Sequence, residues 1–249
     1  MTELLASVLD AYGGRERWAA LESITVEKTF GGVTWPLKHV SGLLDHSWAT
    51  VELQRERTTF HAFTSPARTA VFTPDLVEIR ESGSQRPVES LTAPRASFAG
   101  HQLETPWSQL QLVYFAGYAM WTYLTEPYSL TLPGVSTQEI EPWREGSETW
   151  RRLAVQYPSS IATHSPSQVL YVDSDGLIRR RDYSVEIIAD VPSAQYIDGH
   201  EEVDGVVIAT RRRVYGRDAD NHPQLEPVIV SIDLDDITLQ ERLPQTVAS

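Results

Sequence analysis

The chain has 249 residues, 41% of them hydrophobic, enough for one large core or two small domains. Its 21 Lys and Arg stand against 34 Asp and Glu, and the resulting net charge of −13 repels phosphate backbones and anionic lipid, disfavouring nucleic acid as a partner. With no Cys in the chain, disulfides, thiolate metal sites, cysteine nucleophiles and cysteine-linked lipids fall away.

Residues 3–12 set Leu4, Leu5, Val8, Leu9 and Tyr12 on one helical stripe, and Gly13-Gly14 supplies its stop. The first ten residues lack the basic region and apolar run of a secretory signal, so a cytoplasmic location is the expectation. Residues 15–21 add a short helical turn carrying Trp18. From Ser23 the period changes to two. Ile24, Val26 and Phe30 mark a first strand, residues 48–54 and 56–63 two more, and residues 70–72 and 76–80 flank the turn Thr73-Pro74-Asp75. Residues 82–87 read as a polar loop.

Between Glu104 and Glu126 lie 21 residues without a charge, six of them aromatic. The length suits a bilayer span, but Ser108, Gln109, Gln111, Thr122 and three Tyr do not, and no Lys or Arg flanks the run. Trp107, Leu110, Tyr114, Tyr118 and Trp121 recur at spacings of 3, 4, 4 and 3, one face of a helix. Thr105 as cap, Pro106 at the first position and Pro127 beyond the end predict a buried helix over 106–125, with no integral membrane association.

Strands resume at 150–157. Residues 168–173 and 177–188 are joined by Ser174-Asp175-Gly176, and 194–203 and 206–215 by Asp204-Gly205, a strong two-residue hairpin signal. Residues 139–146 read as an acidic surface turn with Trp143 tucked in. A last strand covers 228–239 after a loose loop at 217–227. The fold class predicted is mainly β (α+β). It consists of a single curved antiparallel sheet, a half-barrel of about ten strands, with two or three helices over its concave face, in one domain spanning 1–249.

An N-terminal helix with a Gly-Gly stop, followed by a long antiparallel meander interrupted by helices, resembles the LolA/LolB/LppX-like proteins in topology. Closer phrases link most of the chain to a group of uncharacterised soil-bacterial proteins: Ala11-Tyr12-Gly13-Gly14 with Trp18, Phe98-Ala99-Gly100-His101, Thr105-Pro106-Trp107, Tyr114 to Trp121, and Asp173 to Leu177. The half-barrel resemblance implies a concave, apolar face that receives an acyl chain beneath helices. Export signal and lipobox are lacking here, so lipoprotein traffic is not implied.

The chemistry-bearing residues are weighed one by one. Seven His are present, none in His-x-x-x-His or His-Glu-x-x-His spacing, so no metal and no cofactor is expected. His101, His164 and His200 are the candidate acid–base groups if a reaction occurs, with His46 and His61 weaker, and hydrogen bonding in a structural role is the simpler reading for each. Arg180 with Asp182, and Arg211 with Arg213, share sheet faces by alternation. Cross-strand ion pairing with partners such as Asp233 and Asp235 is the simpler reading, and an Arg aimed at a ligand's carboxylate or carbonyl is the functional one. The aromatic stripe fits either core or the wall of a pocket. No nucleophile elbow, Walker loop or dinucleotide fingerprint is present. The expectation is a binding protein for a hydrophobic or amphipathic small molecule, with Trp107, Tyr114, Tyr118, Trp121, His101, Arg180 and Arg211 as its contacts. The alternative is a cofactor-independent cyclase or isomerase acting in the same pocket.

Overall fold

The computed structural model describes residues 1–45, 47–81, 83–84 and 86–243; His46, and Ser82 and Gln85 of the predicted polar loop, fall outside them. One open antiparallel sheet organises the chain. Its first meander runs β1 (Leu21–Gly31), β2 (Ser47–Glu52), β3 (Arg57–His61), β4 (Arg68–Thr73), β5 (Leu76–Glu81) and β6 (Pro87–Thr92). The second runs β7 (Ser136–Glu145), β8 (Glu148–Gln156), β9 (Ser167–Val172), β10 (Ile178–Val185), β11 (Val191–Val203) and β12 (Val206–Arg217). After a two-residue β13 (Pro223–Gln224) on β12, the strand β14 (Val230–Glu241) inserts between β1 and β12 and joins the two halves.

This order leaves β6 at one edge and β7 at the other. The residues between them must therefore cross the whole sheet. They do so over one face of the sheet, and their centre is the aromatic helix, α4 (Gln109–Thr125). Helices α1 (Glu3–Ala11) and α2 (Gly14–Ala19) pack beside its end, where Trp18 stacks on Tyr128 at 4.1 Å and the Tyr128 hydroxyl donates to Tyr12 O at 2.7 Å. A short fourth helix, α3 (Thr34–Leu37), follows β1. Among the described residues no helix is long and apolar enough to cross a membrane.

Among the described residues fourteen strands, not about ten, make the sheet. The additions are β6, β7 and the two-residue β13. Both edge strands carry mostly exposed side chains, so neither shows the apolar alternation that announces a half-buried strand. The acidic stretch at 139–146 falls largely in β7, paired to β8 through Trp143 opposite Trp150. The hairpin signals fare better: Asp204 and Gly205 both take positive φ, 46° and 80°, as a primed turn requires.

The start of α4 differs from expectation. The Thr105 hydroxyl is occupied by Gln102 N at 2.9 Å, so it caps nothing. Ser108 caps instead, its Oγ accepting from Gln111 N while the Gln111 side chain accepts from Ser108 N, a reciprocal capping box. From Gln111 to Thr125 every residue of α4 is buried. Close approach to β4 comes at Gly117, where an added Cβ would meet the Phe72 ring at 2.3 Å, and Thr58 Oγ1 donates to the Gly117 carbonyl at 2.8 Å.

One charge in the core yields a pH prediction. Lys28 of β1 is 1% exposed, and its ammonium donates to Leu44 O and Ser47 Oγ, each at 2.6 Å, with no carboxylate in hydrogen-bond contact. Burial lowers its pKa from 10.5 to about 7. Between those values the unfolded chain binds the extra proton, so Lys28 contributes stability that rises with pH across the window and costs most below it. Lys28→Met should abolish that slope without loss at neutral pH, because Ser47 Oγ also donates to Leu44 O and keeps that carbonyl satisfied. Urea unfolding at several pH values checks this; an unchanged slope would show that Lys28 keeps its proton across the window in the folded state.

Candidate ligand-binding site

Between α4 and the second half of the sheet lies a cavity of about 240 Å³. Its helical wall is Phe115, Ala116, Ala119, Met120 and Tyr123, and its sheet wall includes Tyr183 and Val185 of β10, Ser193 of β11, Val214 of β12 and Ile232 of β14. Phe30, Trp35 and Lys38 close one side, and His164 belongs to the inner end. At the mouth Val33 and Leu103 stand 42% and 47% exposed, beside the exposed Glu226. The surface is mostly apolar with a few polar groups, the usual make-up of a small-molecule site.

The predicted aromatic stripe does not form that wall. At about 100° per residue, Tyr114, Tyr118 and Trp121 centre roughly opposite Phe115, Ala119 and Tyr123. Their side of α4 packs on the first meander. Phe72 meets Tyr114 edge-on at 5.6 Å, and Trp121 Nε1 donates to Glu52 O and Arg55 O, both at 3.0 Å. Trp107, Phe98 and Phe115 form a further aromatic cluster near the helix start. The stripe is core, and the cavity belongs to the side of α4 that carries two alanines.

The three candidate histidines are far apart in role. His164, from the loop before β9, is fully buried and joins the cavity wall. Its Nδ1 pairs with the Tyr118 hydroxyl at 3.1 Å and its Nε2 with that of Tyr123 at 2.7 Å, while its ring stacks on Tyr183 at 4.2 Å. Desolvation first, then Arg181 and Arg95, hold its pKa well below the usual range, so it is neutral. A neutral imidazole has one donor and one acceptor, and both are engaged by the tyrosines. His200 lies outside the cavity walls on β11, bonded to the Tyr12 hydroxyl at 3.2 Å, and burial followed by Arg179 lowers its pKa to about 4. His101 packs edge-on against Phe98 in the strap before α4. Burial and then Lys38 lower its pKa. His61 bonds Thr50 at 2.8 Å on the sheet.

That strap is tied down by Lys38, whose ammonium donates to Leu103 O at 2.6 Å and to Gln102 O and Thr105 O at 3.3 Å. All three of its donors are used on backbone carbonyls.

The named arginines lie on the face away from the cavity. Arg180 pairs with Asp182 at 2.7 Å and sits over the Tyr171 ring at 4.7 Å; Arg211 pairs with Asp198 at 3.3 Å and Arg213 with Asp233 at 2.8 Å. Their alternates point inward. Arg181 and Arg212, 0% and 3% exposed, lie over the Tyr123 ring at 5.7 and 5.0 Å, on the Tyr123 side of the cavity. Arg181 pairs with Glu126 and with Gln168 Oε1 at 2.8 Å, whereas Arg212 donates only to the carbonyls of Ala209 and Tyr123, at 2.7 and 2.9 Å. The period-two rule that groups Arg180 with Asp182, and Arg211 with Arg213, puts Arg181 and Arg212 on the opposite faces of their strands. Among the described residues no group of three or more His, Asp and Glu is placed to hold a metal ion.

The LolA superfamily protein of Nitrosomonas europaea superposes with a TM-score of 0.52 at 11% identity, over 98% of this chain and 96% of that one. The fold is LolA-like. A DUF1329 family protein from Desulfovibrio piger gives a TM-score of 0.53, also at 11% identity, over 97% and 93% of the two chains. No protein-family model matches the chain, and no curated protein matches it in sequence. At such identities the likeness is one of fold.

Proposed function

We propose that the protein binds a hydrophobic or amphipathic small molecule in the cavity between α4 and the sheet. The carrying observation is the cavity itself, about 240 Å³ lined mainly by aliphatic and aromatic side chains. An ordinary core of this size fills its space, and engineered apolar cavities of about 150 Å³ already take up benzene. The half-barrel resemblance supports the same reading. At about 30 Å³ for each water-sized group, the space suits a chain of about eight such groups.

The alternative, an enzyme, needs a free acid or base at the cavity. His164 is the candidate in place, but both its nitrogens are bonded to tyrosines and its charged form is strongly disfavoured. The binding reading therefore stands first. Displacement of the neutral dye Nile red by decanol and decanoic acid tests it, alongside native mass spectrometry of protein purified from its own host. Saturable displacement by either compound supports the reading, and dye that neither binds nor is displaced would sink it.

A further inference from the structure

Resting on that reading, we infer that the ligand is a monocarboxylic amphiphile bound head-inward, its carboxylate received at the Tyr123–Tyr183 end of the cavity and its charge balanced by Arg181 and Arg212. The inner end carries an excess of positive charge. Arg181, Arg212 and Glu126 are all buried, and two guanidiniums face one carboxylate. His164 is neutral, and the nearby Arg95 is paired with Glu186. No other carboxylate among the described residues pairs with Arg181 or Arg212. Isolated buried charge is costly, so an anion delivered beside these arginines gains what solvent cannot supply.

The hydrogen-bond inventory agrees. The Nε atoms of both Arg181 and Arg212, the Tyr157 hydroxyl and both amide atoms of Gln195 are buried without a partner. Gln195 is 0% exposed and stands on β11 opposite Arg181 and Val214, two residues from Ser193 of the cavity wall. Four of these five atoms are donors, and so many polar atoms without a partner are uncommon in a folded interior. Tyr123 separates them from the cavity, with the guanidiniums over its ring. When a carboxylate arrives, the Tyr123 O–H can turn to it while His164 Nε2–H donates to the phenol oxygen; the tautomer shift needs no net proton transfer to solvent.

The mouth offers the opposite environment. Its one lysine, Lys38, has spent its three donors on carbonyls, and the carboxylate of Glu226 borders the opening. Among the described residues a head-outward acid meets no free cation there. An alcohol or ester in either orientation leaves the buried charge as it was.

The unmodified protein decides the matter with four probes: decanoic acid, decanol, methyl decanoate and decylamine, each competing with Nile red. The acid is expected to bind at least tenfold tighter than the alcohol or ester, with the amine weakest, and the preference to persist at high salt because the charges are buried. Carbon NMR of carboxyl-labelled decanoic acid should show the bound carboxyl titrating well below its free value. Arg212→Met should bring acid and alcohol to similar affinities and leave the alcohol's unchanged; should that variant not fold, Tyr183→Phe is expected to weaken the acid alone. If the alcohol binds as well as the acid, or if the bound carboxyl titrates as it does in water, the head-inward assignment is wrong while the cavity reading survives. If none of the four binds, the cavity reading itself fails.

Discussion

Ala119→Phe should abolish dye and amphiphile binding while leaving the fold as stable as before or slightly more so. Ala119 is 5% exposed, lies mid-helix and contributes its methyl group to the cavity wall. A phenyl ring in that direction needs a space of about 150 Å³, the size that holds benzene, and more than half of the cavity would go. Filling an existing void adds contacts without the strain of overpacking, and such changes commonly stabilise by about 0.5–2 kcal/mol. Affinity should fall by at least tenfold, or about 1.4 kcal/mol. Tyr114→Phe is the control, because Tyr114 faces Phe72 and the first meander; it should leave binding within about twofold. Nile red titration together with thermal unfolding reads both properties. Undiminished affinity in a folded Ala119→Phe protein would remove this cavity from consideration as the site.

That control also marks how far the sequence carries. The architecture was legible because the inward strands alternate, the hairpins carry Asp-Gly and Asp-Ser-Asp-Gly turns, and an uncharged aromatic run stands out in an acidic chain. The edge strands β6 and β7 were not, because their exposure leaves no apolar period to read. At the site, large aromatics drew attention to one face of α4 by their size. A cavity, however, is made where side chains are small or turn aside, and Ala116 and Ala119 are unremarkable in a sequence. The same bias affected the arginines: Arg180 and Arg211 have visible acidic partners at short sequence range. Arg181 finds its carboxylate far along the chain in Glu126 and Arg212 pairs with none, and both facts emerge only when β10 and β12 come together around Tyr123.

Glu126 is where charge, fold and ligand meet. It ends α4 and pairs with Arg181, and its charge also acts on Arg212 behind Tyr123. Glu126→Ala leaves two guanidiniums facing each other in the core, and removing one partner of a buried ion pair costs about 3–5 kcal/mol. Urea unfolding should show that loss, a large part of a typical domain's stability. Glu126→Gln combined with Arg181→Met should recover much of it, because the pair is removed together and the stranded charge with it. A carboxylate in the cavity replaces, in part, the charge that Glu126 supplied. Decanoic acid should therefore raise the unfolding midpoint of Glu126→Ala by more than that of the native protein, whereas decanol should raise both equally. An equal effect of acid and alcohol on the two proteins would separate the arginine pair from the ligand and leave Glu126 a purely structural counter-ion.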